Sequence, residues 1–174
     1  MMDEENFPDL SDLVKEKIMS RYIAASLTGF AQEKGLQFER AAAVACRLMD
    51  KVVNDYQSAR SSFIEEENSV SISYGVEIIN NLEDCLNAIR RIYRVLSDLN
   101  IEVDITSERF KTVDSIRGSI EHVNKLIDKG VSGPLVPWIT KTNLSISLEG
   151  YTLAITDLAG ELRRLHNEIL GIFV

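Results

Sequence analysis

Apolar residues recur at helical spacing through most of the 174-residue chain. The clearest pattern runs from Ile78 to Leu96, where steps of four and three residues alternate between apolar positions. This spacing places the apolar side chains on one face of an amphipathic helix. Similar patterns predict one helix from Leu10 until Gly35 and others over residues 38–63, 108–127 and 157–172. The sequence therefore predicts an all-α fold, a bundle of about five helices.

The helical period gives way to a period of two after Trp138. Apolar residues then alternate with polar ones on both sides of Glu149-Gly150, a two-residue turn. Opposite positions sum to 299, as the register of a two-residue hairpin requires. We therefore expect one small C-terminal β-hairpin over about residues 143–156, with Thr156 or Asp157 capping the helix behind it. Its helix-facing side chains are Leu144, Ile146, Leu148, Tyr151, Leu153 and Ile155.

No internal repeat or long linker divides the chain, so residues 1–174 are read as a single domain. The formal net charge of −8 disfavours long-range attraction to nucleic acids or anionic membranes, although a local basic site is compatible with it. The N-terminus is acidic rather than basic, and no stretch reaches the 18 apolar residues of a membrane span. We therefore expect a cytoplasmic protein that has no contact with membranes.

Cys46 and Cys85 lie on or beside apolar stripes, which predicts reduced cysteines in the core. The histidines do not stand at metal-binding spacing, and no glycine-rich phosphate loop is present. Glu161, His166 and Glu168 could reach an ion from the last helix, but such residues on a helix usually belong to a solvated face. We therefore expect neither a metal nor a cofactor.

Arginines cluster on two predicted helices. One interpretation is a solvated face with intrahelical ion pairs, and the other is contact with phosphate or RNA. An aromatic residue among the arginines of the third helix is compatible with base stacking. The clusters are Arg90, Arg91 and Arg94, with Tyr93 between them, and Arg163 with Arg164.

The fourth predicted helix carries Arg117 and, five residues later, His122. This pair resembles the Arg-x4-His signature of the HEPN superfamily of small all-helical domains. The resemblance implies metal-independent cleavage of RNA by a toxin or defence effector. In that chemistry Arg117 would neutralise the phosphate and His122 would move a proton, with Ser119 and Glu121 as further polar groups.

The resemblance also implies a site at a dimer interface. Residues five apart differ by about 140° around a helix, so one helix does not easily aim Arg117 and His122 at one phosphate. Two copies of the helix facing each other across a two-fold axis remove this difficulty. We therefore expect a homodimer that binds RNA.

Two alternatives stay open. Glycine stands at position 118, where catalytic members carry a polar residue, and Arg117 can form an ordinary ion pair with Glu121 one turn away. The chain would then be a non-catalytic helical module of the same fold that binds a partner protein. The other alternative is a small-molecule pocket beneath the hairpin, around Trp138 and Tyr151.

Overall fold

The computed structural model describes residues 6–67, 72–101, 108–121, 138–140, 145–148 and 150–173. Within these residues the fold is all-α apart from one small antiparallel sheet, which confirms the predicted fold class. The helices are α1 (Ser11–Lys15), α2 (Ile18–Leu27), α3 (Phe30–Lys34), α4 (Leu36–Glu67), α5 (Ile72–Asp98), α6 (Glu108–Glu121) and α7 (Ile155–Leu170), and a 3₁₀ turn follows at Gly171–Phe173. The strands are β1 (Trp138–Thr140), β2 (Ser145–Leu148) and β3 (Tyr151–Ala154).

The two longest helices, α4 and α5, pack against each other and form the centre of the core. The apolar stripe predicted on α5 is buried, including Ile78, Leu82, Ile89 and Leu96. Its counterpart on α4 is also buried, with Tyr56 fully enclosed. Each such side chain contributes about 1.5–3 kcal/mol when it leaves water. The predictions for both helices are therefore confirmed.

The single helix predicted before Gly35 is wrong, because the chain forms three short helices there. The first break comes at Glu16 and Lys17, where the backbone leaves helical geometry. The carboxylate of Asp50 on α4 accepts hydrogen bonds from the N–H groups of Ile18 (2.9 Å) and Met19 (3.2 Å). A residue distant in sequence thus caps α2 and fixes its start.

Glycine sets the remaining boundaries of this region. Gly29 separates α2 from α3 with φ of +95°, and Gly35 ends α3 with φ of +89°. Only glycine adopts this left-handed region without steric cost. The helix end predicted at Gly35 is therefore confirmed, whereas the break at Gly29 was not predicted.

The hairpin of β2 and β3 has the predicted register. Ser145 pairs with Ala154, and Leu148 pairs with Tyr151 across the turn. Ile146, Leu148 and Leu153 are buried, as expected. Tyr151 pairs with buried Leu148 and so shares its face of the sheet, but it is 44% exposed and is not covered by the helices as predicted.

The sheet and the following helix differ from the prediction in two further ways. β1 pairs antiparallel with β2, which makes the sheet three-stranded. Helix α7 begins at Ile155, directly after the hairpin, and its N-cap residue is Ala154 without a side-chain cap. The predicted cap at Thr156 or Asp157 is therefore wrong. Leu144 lies outside the described residues.

Both cysteines are buried thiols, which confirms their predicted place in the core. Burial raises the pKa of the Cys46 thiol to about 12 and that of Cys85 well above its ordinary value. We expect neither thiol to react with Ellman's reagent at pH 8 while the protein is folded, because the thiolate is the reactive form. Both should react once guanidinium chloride unfolds the chain. Rapid labelling of the native protein would contradict this arrangement.

Residues 6–15, which we call the N-terminal segment, lie against α4 and α7. The pKa of Asp9 is lowered mainly by the backbone N–H of Ser11, and the pKa of Asp12 mainly by a hydrogen bond from Arg163. The Arg163–Asp12 ion pair is 2.6 Å long and largely exposed. Its contribution to stability is therefore small.

We expect Asp12→Asn to lower the free energy of unfolding at pH 7 by about 0.5–1 kcal/mol, because Arg163 loses its carboxylate partner. A lowered folded-state pKa stabilises the fold above the unfolded value of 3.8, and this contribution disappears as pH falls through the folded-state pKa. Urea denaturation followed by circular dichroism should separate wild type from variant at pH 7 and bring them together in acid, below the lowered folded-state pKa of Asp12. A difference that persists in acid would contradict the ion pair. Glu65→Gln, at another exposed carboxylate, is the control.

Candidate functional site

Helix α6 carries Arg117 on a partly buried position. Val113 and Ile116 point into the core and fix how α6 rotates about its axis. Arg117, one residue after Ile116, is therefore half-buried at the edge of the core. His122 and the side chain of Glu121 lie outside what the structure describes. The Arg117–His122 pair and the alternative Arg117–Glu121 ion pair thus stay predictions.

Gly118 and Ser119 follow Arg117 on α6, and neither position shares its face of the helix. Ser119 is 9% exposed and stands about 200° from Arg117 around the helix, so the two side chains leave α6 in different directions. A Cβ atom at Gly118 would meet nothing within 4 Å. The packing in the described residues therefore does not require glycine at this position.

An ion pair joins the arginine cluster of α5 to α6. Nε of Arg90 lies 2.7 Å from Oδ1 of Asp114. That oxygen is shielded from water and accepts no well-aligned hydrogen bond, so charge attraction holds the pair. Asp114 and Arg117 are three residues apart and share a face of α6. Arg90 therefore lies beside the turn of α6 that carries Arg117.

The other two arginines of the cluster are exposed. Arg94 follows Arg90 by one turn on the same face of α5, and Arg91 stands next to it. Arg90 has an ion-pair partner on another helix, Asp114 of α6. The intrahelical ion pairs considered from the sequence for this cluster stay predictions. We call Arg90, Arg91, Arg94 and Arg117 the basic surface.

Tyr93 is buried and does not belong to the basic surface. It is 2% exposed, and its hydroxyl donates a hydrogen bond to Oε1 of Glu161 on α7. Nη2 of Arg164 donates to the Tyr93 hydroxyl and to the Glu161 carboxylate, at 2.7 Å in each case. The guanidinium carbon also lies 5.7 Å from the centroid of the Tyr93 ring. Base stacking on Tyr93 is therefore excluded in this conformation.

The predicted exposure of Glu161 and His166 is wrong. Glu161 is 3% exposed and His166 is 1% exposed. Both flank the apolar stripe of α7 and are buried together with it. His166 Nε2 lies 3.3 Å from the carbonyl oxygen of Glu16, at the α1–α2 junction. Among the residues that the structure describes, no three His, Cys, Asp or Glu side chains come together as a metal site.

The predicted pocket beneath the hairpin has little support from Tyr151, whose ring is exposed. A surface cavity of about 560 Å³ lies elsewhere, beside Arg164 and Glu168 at the end of α7, with Phe38 and Ile101 among its apolar walls. A second cavity of about 510 Å³ lies between α1 and α4. Neither of these two cavities includes Trp138 or Tyr151 in its lining.

Comparison of the chain with models of known families, with curated proteins and with solved structures gave no match. In the described part of the chain, none of the helices combines the length and apolar character needed to cross a bilayer.

We expect Glu161→Gln to lower the free energy of unfolding by about 1–3 kcal/mol, because a buried charge-assisted hydrogen bond to Arg164 is lost. Tyr93→Phe should cost a similar amount, since Glu161 loses a donor. The matched control is Glu168→Gln, which removes a half-exposed ion pair of the same Arg164 and should cost less than about 1 kcal/mol. Urea denaturation measures all three. Equal effects of Glu161→Gln and Glu168→Gln would contradict the buried network.

Proposed function

We propose that this protein is a HEPN-like dimer that binds RNA on the basic surface and cleaves it without a metal. The observation that supports the proposal most is the 2.7 Å contact between Arg90 and Asp114. This contact brings the arginines of α5 next to the turn of α6 that carries Arg117. The sequence alone does not indicate that these two regions lie together. Adjacent arginines are suited to successive phosphates of one RNA strand.

The proposed reaction is an internal transesterification. The 2′-hydroxyl oxygen attacks the adjacent phosphorus, the P–O5′ bond breaks, and the products are a 2′,3′-cyclic phosphate and a 5′-hydroxyl. His122 takes the proton of the 2′-hydroxyl, and the His122 of a second copy gives a proton to the departing 5′-oxygen. Arg117 neutralises charge on the phosphate oxygens in the transition state.

The arginines of α5 have a separate role in this proposal, which is to bind the phosphates that flank the scissile one. The chain has a net charge of −8, so attraction to RNA would come from the basic surface and not from the protein as a whole. Such binding weakens steeply as salt concentration rises, because each phosphate contact releases counterions.

Incubation of a labelled mixed RNA pool with purified protein in EDTA tests the reaction. We expect cleavage by the wild type and a loss of at least about 100-fold in rate for His122→Ala and Arg117→Gln. Arg40→Gln, at an exposed arginine of α4, should keep full activity. Circular dichroism confirms that the variants fold. Equal cleavage by all four proteins would reveal a contaminating nuclease and contradict the proposal. Absence of cleavage by the wild type would contradict it too.

The burial of Ser119 favours a second candidate, a non-catalytic module of the same fold, because this side chain does not share the face of α6 that carries Arg117. Fluorescence anisotropy with labelled single-stranded RNA separates the two candidates. RNA binding without cleavage, weakened about tenfold at low salt by the double variant Arg91→Gln/Arg94→Gln, would favour an RNA-binding module. Absence of both binding and cleavage would favour a module that binds protein.

A further inference from the structure

Exposed apolar side chains gather on α2 and on the first half of α4. Of the large apolar side chains that are exposed among the described residues, four belong to this region. Leu27 is 83% exposed, and Ile23, Leu36 and Val44 are 38–56% exposed. Single exposed apolar side chains are ordinary, whereas a contiguous group of them marks an interaction site. The arrangement of these four on the two helices therefore matters.

A stripe of alternating apolar and basic residues runs along the outer side of α4. Leu36, Arg40, Val44 and Arg47 follow one another at steps of four, four and three residues, and all four are exposed. Such steps keep the side chains within about 80° of one another around the helix. The buried stripe of α4 points the opposite way, into the core. One side of this half of α4 is thus both apolar and basic.

Helix α2 extends this side. It lies antiparallel beside the first half of α4, because Asp50 accepts from its first N–H group and Glu39 accepts from the hydroxyl of Ser26 in its last turn. Ile23 and Leu27 are one turn apart on the side of α2 that is turned away from the core. Both helices thus contribute to one outer surface. We call it the α2–α4 face, and its residues are Ile23, Leu27, Leu36, Arg40, Val44 and Arg47.

The charge of the α2–α4 face is purely positive. Helix α2 contains no acidic residue, and Glu39 and Asp50, the acids in this half of α4, are turned toward α2. Among the residues that the structure describes, neither Arg40 nor Arg47 forms an ion pair. Lys51, one turn further along the same side, is held by two carboxylates. In a chain with a net charge of −8, the face therefore offers two cations to an external partner.

The number and spacing of the charges favour a protein partner. Surfaces that bind anionic lipids carry roughly four to eight cations, and the net charge of this chain opposes attraction to such a surface. The apolar and basic residues of the α4 stripe alternate at intervals of one helical turn, about 6 Å. An amphipathic helix that alternates apolar and acidic residues at the same interval matches this stripe in both shape and charge.

We propose that the α2–α4 face binds an acidic amphipathic helix of a partner protein. The apolar side chains of that helix cover the four exposed apolar residues, which leave water together. Its carboxylates pair with Arg40 and Arg47 and set its direction and register. The α2–α4 face shares no residue with the basic surface, so this proposal is independent of the function proposed there.

Selection from a display library of helical peptides of about 15 residues, roughly four turns, tests the proposal. The immobilised probe target is the full chain, and binding of the selected peptides is measured by fluorescence anisotropy. We expect enriched peptides to carry Asp or Glu and apolar residues at one-turn intervals. Arg40→Glu/Arg47→Glu should weaken their binding at least about tenfold, and so should Leu27→Ser/Leu36→Ser. All four side chains are exposed, so the variants should fold, which circular dichroism confirms.

A charge swap makes the test specific. Peptides in which lysine replaces the acidic residues should bind Arg40→Glu/Arg47→Glu and not the wild type. The matched control is Lys17→Glu/Arg21→Glu, which changes the net charge equally at exposed positions outside the face and should leave the affinity within about twofold.

Three results would overturn the proposal. The first is the absence of enriched peptides, and the second is enrichment of peptides whose binding Arg40→Glu/Arg47→Glu does not weaken. The third is sedimentation of the wild type with vesicles of phosphatidylserine and phosphatidylcholine that Leu27→Ser/Leu36→Ser abolishes. In that case the face would bind a lipid surface and not a helix.

Discussion

The contact between α4 and α5 is the constraint on which the rest of the structure depends. Both helices bury a continuous apolar stripe, and every other described helix packs on one or both of them or on α7. The N-terminal segment and α2 are held by side chains of α4, whereas Arg90 and Tyr93 reach α6 and α7 from α5. The orientation of this pair therefore determines where the basic surface and the N-terminal segment lie.

The sequence predicted those parts of the fold whose cause is local. The stripes of α4 and α5, the register of the β2–β3 hairpin and the helix end at Gly35 follow from periodicity and turn chemistry within a few residues. The break between α1 and α2 could not be predicted in this way, because Asp50 supplies the cap of α2 from α4. The break at Gly29 has a local cause, a glycine with positive φ, and was missed. The start of α7 at Ile155 is likewise set by the strand before it, and not by Thr156 or Asp157.

The features of the candidate site were also predicted where their cause is local and missed where it is long-range. The exposure of Arg91 and Arg94 follows from their offset against the stripe of α5. The Tyr93–Glu161–Arg164 network was missed because Tyr93 and Glu161 are 68 residues apart and no local pattern joins them. A charged residue beside an apolar stripe is predicted to be exposed unless a buried partner for it is known. The one available signal was the position of Glu161 next to the stripe of α7.

The cap that Asp50 gives to α2 has a consequence for the order of folding. Its acceptor stands 32 residues after the N–H that it binds, so α2 cannot gain a fixed first turn while that part of α4 is disordered. Residues 18–27 would therefore remain a fluctuating helix in a growing or refolding chain until α4 and its partner have formed. Long-range capping would thus make α2 wait for α4, although α2 is synthesised before α4.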